Sequence, residues 1–408
     1  MTRKNTALIL HLLVVFGAAA TALAAEDQDA ENLQQALGRG EAAVNLRYRF
    51  GFVDQDDFDK DANASTLRTT LSYRTLAYKG FSLFLEAENV TDIGTSGQYN
   101  NAGAGGLNNG VSDRPVVADP EITEVNQSYL RWQGENTRLD LGRQEINWGD
   151  QRFVGAVGWR QNHQSFDAVS FEDESLQRVR FQYGFLANAN RIFGDDKPMA
   201  SHLLSANIEL PLGGLNLYGL YLDYERETDS SLSRSTFGIE WKGTHELEGG
   251  AKILWEAEYA DQSDAADNPD EVSASYQFVM LGGVVGGVTI QGGYEVLEGR
   301  DGQGRFLTPL ATLHKFNGWA DKFLNTPAEG LEDLYFSVAG LMGSVGWKLV
   351  GHDFSAESAS LDYGTEVDLV FSWKAGWGQA FSLKGAFYEA DGHSTDTRKI
   401  WFLTSYSF

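Results

Sequence analysis

Arginines recur at alternate positions at Arg47/Arg49 and Arg178/Arg180, and Arg68, Arg74 and Arg131 keep the same parity within their own segments. Alternate residues of an extended chain share a face. These guanidinium groups would therefore form a wall able to grip carboxylates through paired N–H donors. A second group lies in one dense stretch from Gly142 to Asp167, where Arg143, Arg152 and Arg160 are mixed with Asp150, Trp148 and Trp159. That mixture suits a loop folded into a wet interior. Every polar group there needs a partner, and indole faces can stack on sugars or guanidinium groups. The chemistry offered is recognition rather than bond making. The chain has 7 scattered histidines, no His-Glu-x-x-His spacing and no cysteine, so thiol nucleophiles and thiolate metal sites are excluded. Glu86 and Glu88 share a face, but no acid–base set accompanies them. No enzyme activity, metal or cofactor is expected.

Residues placed in this way need strands to carry them, and period-two alternation dominates the chain. Leu46, Tyr48, Phe50 and Phe52 alternate with Arg47, Arg49 and Gly51. Phe181, Tyr183 and Phe185 alternate with Arg180, Gln182 and Gly184, while Val367, Leu369 and Phe371 alternate with Glu366, Asp368 and Val370. Such alternation predicts half-buried strands. About 18 segments of this kind can be counted, centred from Tyr48 through Leu403. Short connections such as Ala77–Gly80, Gly134–Thr137 and Gly376–Gln379 take turns with long ones. The long ones are Val53–Thr66, Val90–Glu124, Ile146–Ser165, Ala187–His202, Asp261–Glu271 and Leu297–Glu332. An even strand number with tight turns on one side and long loops on the other predicts an all-β fold. That fold is a transmembrane antiparallel barrel with short periplasmic turns, long extracellular loops and some loops folded into the lumen. Trp132, Trp241, Trp347, Trp373, Trp377 and Trp401 near strand ends are expected to form interfacial girdles. The segment Leu307–Leu324 is too apolar to dangle in water and is expected to fold back as a constriction or pack on the rim.

Both ends of the chain fit this reading. Arg3 and Lys4, an apolar run from Ala7 to about Ala20, and Ala22-Leu23-Ala24 read as a secretory signal peptide spanning residues 1–24. Residues 25–43 read as a loose periplasmic lead-in, and 44–408 as the barrel. Ile400, Phe402, Tyr406 and Phe408 share one face of the last strand, an ending expected to be read by the barrel assembly machinery. The net charge of −25 argues against a nucleic-acid partner. The expected setting is the Gram-negative outer membrane, with lipid and lipopolysaccharide around a monomer.

Gly142-Arg143-Gln144, Asp150-Gln151-Arg152, Trp159-Arg160 and Phe166-Asp167 resemble the signature of the alginate export porin family. That resemblance implies an 18-stranded barrel passing an anionic polysaccharide through an arginine-lined constriction. Its path would be lined by Arg47, Arg49, Arg68, Arg74, Arg131, Arg143, Arg152, Arg160, Arg178 and Arg180, with Asp150 and Trp159. Alternation also turns Glu86, Glu88, Glu209, Glu240, Glu256, Glu258, Glu366 and Asp368 inward, so the expected lumen has a basic side and acidic sides. The alternative is a diffusion or uptake porin for small anionic or sugar-like solutes.

Overall fold

A computed structural model describes residues 29–299 and 304–408. Residues 1–24, read above as a signal peptide, and the first residues of the expected lead-in lie outside the described residues. Eighteen antiparallel strands form one sheet that closes on itself. The first six are β1 (Glu41–Gln55), β2 (Ala62–Arg74), β3 (Phe81–Asp92), β4 (Thr123–Gln133), β5 (Thr137–Gln144) and β6 (Ser165–Asp173). Next come β7 (Val179–Asn190), β8 (Asp196–Leu210), β9 (Gly213–Leu222), β10 (Arg234–Glu246), β11 (Lys252–Asp264) and β12 (Ser273–Val285). The last are β13 (Val288–Leu297), β14 (Leu331–Met342), β15 (Val345–Ser355), β16 (Asp362–Lys374), β17 (Ala380–Ala390) and β18 (Thr397–Ser407). Each strand pairs with its sequence neighbour, and β1 pairs with β18 from Asn45↔Ser407 to Gln55↔Thr397. Closure leaves no open edge, so every strand has a backbone partner on both sides. All 18 predicted segment centres fall within these strands.

The two faces of the sheet have inverted chemistry. On β1, Arg47 and Arg49 are buried while Tyr48 and Phe50 are partly exposed. Leu71, Leu281, Phe336 and Val367 are exposed on the outer surface. In water such a belt would be an aggregation hazard; against lipid it is the favoured arrangement. Inside, charged and aromatic side chains pack against loops that enter from the long-loop end.

Two expected long loops are short. Strand pairing runs on past the apolar belt, leaving only residues 56–61 between β1 and β2, and residues 191–195 between β7 and β8. Alternation of apolar residues stops at the belt, whereas backbone pairing does not. The genuinely long connections are residues 93–122, 145–164 and 298–330. The lead-in is also more ordered than expected. A short helix, α1 (Leu33–Gly38), is capped by Asn32 and buries Ala36 against the short-turn rim, where the Leu76 N–H donates to the Ala36 carbonyl. Trp401 departs from the girdle expectation. It is 1% exposed and faces the lumen, because Ile400 and Phe402 take the outer face beside it.

Candidate functional site

The three long loops meet inside the barrel as one body. Val154 and Leu310 form a parallel bridge, and the Gly155 N–H donates to the Leu310 carbonyl at 2.9 Å. A Cβ at Gly155 would sit 2.2 Å from the Thr312 hydroxyl, so the loops can approach this closely only over a glycine. The 93–122 loop joins through Asp119, which accepts from Arg49 and from the Gln161 N–H at 3.2 Å. Gly318, at φ +81°, presses the 298–330 loop onto the wall, where a Cβ would lie 2.4 Å from the Glu366 carboxylate.

The basic side of the wall is largely committed to holding these loops. Arg47 donates to the carbonyls of Gly158 at 2.8 Å and Trp159 at 2.6 Å, and Arg49 donates to Trp159 at 2.8 Å. Arg68 contacts His163 and lies 3.8 Å from Glu88. Loop carbonyls satisfy guanidinium donors that sequence alone would aim at a solute. The acidic wall of β13, β14 and β16 works in the same way. Glu366 accepts the Ala320 N–H at 2.7 Å and Asp368 the Trp319 N–H at 3.1 Å, while Asn317 bonds to Glu295 and Asp333.

Arg152 pairs with Glu295 at 3.0 Å and lies over the Phe316 ring. Burial opposes its charge, yet the Glu295 carboxylate outweighs burial and holds the guanidinium above its ordinary value. Arg160 and Lys399 both reach Asp321, at 3.1 and 2.9 Å, and His314 bonds to the other carboxylate oxygen at 2.6 Å. Burial works against the Asp321 charge, but the hydrogen bond from His314 and the Lys399 and Arg160 charges hold the carboxyl well below the usual range. Burial pushes His314 well below its ordinary value despite Asp321, so its ring is neutral near pH 7. Its Nδ1–H then donates to Asp321, which leaves Nε2 as an acceptor.

Three other predicted path residues line the short-turn half of the lumen. Arg131 pairs with Asp140 at 2.7 Å and Arg180 with Glu172 at 2.5 Å, with Arg138 between the two carboxylates. Arg74 is exposed at the rim over the Phe84 ring. Two assignments are corrected. Arg178 is not on a strand; it occupies the turn before β7 at φ +66°, exposed to solvent. Arg143 belongs to β5, not to the following loop, and takes the outward parity of Leu139 and Leu141. There it pairs with Asp167 at 2.7 Å on the outer wall. Asp150 stays in the 145–164 loop, where its side chain accepts the Arg152 N–H at 2.9 Å.

The long-loop end opens into a cavity of about 680 Å³. Leu310, Leu313, Phe323, Leu324, Ile192 and Phe193 supply its apolar lining. Its charged lining is Arg152, Arg160, Arg191, Lys197, Lys322 and Lys399 against Asp57 and Asp321. Lys322 differs from the rest. It contacts the Ser394 hydroxyl at 3.1 Å and lies over the Tyr388 ring, and among the described residues it forms no ion pair. Burial, then the nearby Lys399 charge, lowers it to about 8. Alternation read on the arginines alone leaves out the inward lysines. Lys384 and Lys399 flank outward Leu383 and Ile400, so the same alternation places them inside. Nothing in the local pattern singled out Lys322.

No protein-family model matches the chain, and no curated protein does. Solved structures do. The chain is similar to OccD3 (OpdP) of Pseudomonas aeruginosa at 13% identity, covering 91% of each chain, with a TM-score of 0.67. It is similar to OccK9 (OpdG) of the same organism at 12% identity, over 91% of this chain and 99% of that one, with a TM-score of 0.70. A third, Pseudomonas aeruginosa OpdK with vanillate, is 11% identical over 90% of this chain and 98% of that one, with a TM-score of 0.70. At these identities the likeness is one of fold: the chain folds as the 18-stranded barrel of outer-membrane porins.

Proposed function

We propose that the chain is an outer-membrane channel admitting small organic anions through its long-loop end. The observation that carries this is the 680 Å³ cavity, which joins an apolar lining to six cationic side chains and two carboxylates. Its size suits a small solute, since such sites span roughly 300–1,000 Å³. A carboxylate would be drawn to Lys322 and the basic rim while its apolar body lay against Leu313 and Leu324. Weak, multisite attraction of this kind lets a solute enter and leave. A similar barrel was solved with vanillate, a small organic anion. Polysaccharide export is less well supported. Arg47, Arg49 and Arg68 are occupied by loop groups, and three interlocked loops leave no uniformly basic throat.

Single-channel recording in planar bilayers tests the reading. Benzoate added on the long-loop side is expected to interrupt the current, and benzyl alcohol is not. A barrel that prefers cations and ignores benzoate refutes it. Tighter block by a polyuronate than by benzoate would restore the export reading.

A further inference from the structure

Lys384 occupies an unusual position. It projects inward from β17 and is 7% exposed, yet among the described residues it forms no ion pair. Its ammonium lies 4.1 Å from the centroid of the Trp159 ring, 3.7 Å from that of Trp319 and 5.7 Å from that of Trp401. It also sits 2.8 Å from His314 Nε2, the acceptor nitrogen of the neutral ring. Trp159 comes from the 145–164 loop and Trp319 from the 298–330 loop. Trp401 comes from the neighbouring strand. Trp159 and His314 stack at 4.5 Å, and Trp401 meets both edge-on.

An ammonium among indole faces is held by the ring quadrupoles, and the attraction strengthens when water is excluded. Here the rings belong to separate loops, so one cation joins both to the wall. The chain of contacts continues from His314 to Asp321 and on to Arg160, a residue of the first loop. Glu366 and Asp368 on neighbouring β16 hold the backbone on either side of Trp319, which fixes that ring over the lysine.

We propose that Lys384 clasps the two inward loops together and thereby sets the bore of the channel. Lys384 acts as a positioning residue, and its effect on permeation rests on the channel reading above. Removing the clasp frees both loops to move from the lumen axis. Replacing it with another cation of similar reach keeps them in place.

The test compares wild type with K384M, K384R and W319A by single-channel conductance and by acrylamide quenching of tryptophan fluorescence. Folded barrels are confirmed by heat-modifiable gel mobility. K384M and W319A are expected to raise conductance by roughly twofold or more, to admit larger sugars in liposome swelling and to increase quenching. K384R is expected to stay near wild type. Folded K384M with unchanged conductance and quenching overturns the clasp, and so does K384R opening as far as K384M. If K384M does not fold, W319A decides, because it weakens the cage without leaving a methionine in a polar site. Quenching needs no current. A wild type that never conducts, with K384M more quenched, would remove the channel reading and leave the clasp standing.

Discussion

Replacing Leu369 with arginine should separate a lipid-facing wall from any soluble alternative. Leu369 lies on β16, a strand of 13 residues, one position from its midpoint at Asp368. The outward rows on either side of it are apolar, Val367 with Phe387 and Phe371 with Trp347 and Leu383, whereas Thr365, beside Asp353 and Glu389, marks the polar edge of the band toward the long loops. With a rise of about 3.3 Å per residue and a tilt near 40°, each residue advances about 2.5 Å along the barrel axis. Leu369 then sits about 10 Å inside that edge, within about 3 Å of the middle of an apolar band about 25 Å tall. Its cross-strand neighbours are Leu349 and Gly385, and neither can pair with a guanidinium. An arginine there must hold its charge near the bilayer midplane, at a cost of about 2–4 kcal/mol. At Thr365, in the same outward row but at the polar edge, the cost falls to about 0–1 kcal/mol. Reversible denaturant unfolding in phospholipid vesicles measures both. Equal destabilisation by L369R and T365R, or no effect from L369R, would refute the lipid-facing assignment.

Charge at the cavity should be visible in ion selectivity. K322Q is expected to lower anion preference, and in the wild type that preference should fall as pH rises through about 8, because Lys322 loses its proton there; reversal-potential measurements from pH 6 to 9 check both, and a flat profile would count against an unpaired cation at the entrance. R152M leaves the Glu295 carboxylate buried without its partner and should destabilise the folded barrel by about 3–5 kcal/mol, read as a shift in the denaturant midpoint; a loss below about 1 kcal/mol would mean the pair contributes little. Phe408 exchanges two backbone hydrogen bonds with Val44 where the sheet closes. Deleting it should lower the yield of folded barrel in the outer membrane without lowering synthesis, and normal yield would remove its expected role in assembly.

Much of the fold was legible because a barrel wall obeys a local rule. One face of each strand meets lipid and the other meets a polar lumen, so hydropathy alternates wherever the wall is, and each of the 18 centres could be placed from its own segment. The same rule put Arg47, Arg49 and Arg68 inside. It failed where a residue left the ladder, as at Arg178 in a turn, and where a strand boundary was misjudged, as at Arg143. It was silent on length beyond the lipid belt, since backbone pairing there needs no alternation.

What the arginines touch was decided only by the tertiary structure. A guanidinium aimed into an empty lumen and one capped by the Gly158 and Trp159 carbonyls have the same sequence neighbours. The difference comes from a loop more than 100 residues away, held by contacts whose partners share no local pattern. The meeting of Trp159, Trp319 and Trp401 around Lys384 is of the same kind. Alternation determines which way a side chain points, while the interior it meets depends on how three loops pack against each other. That packing rests on long-range contacts such as Gly155 with Thr312 and Gly318 with Glu366, where removing a Cβ lets two distant segments touch.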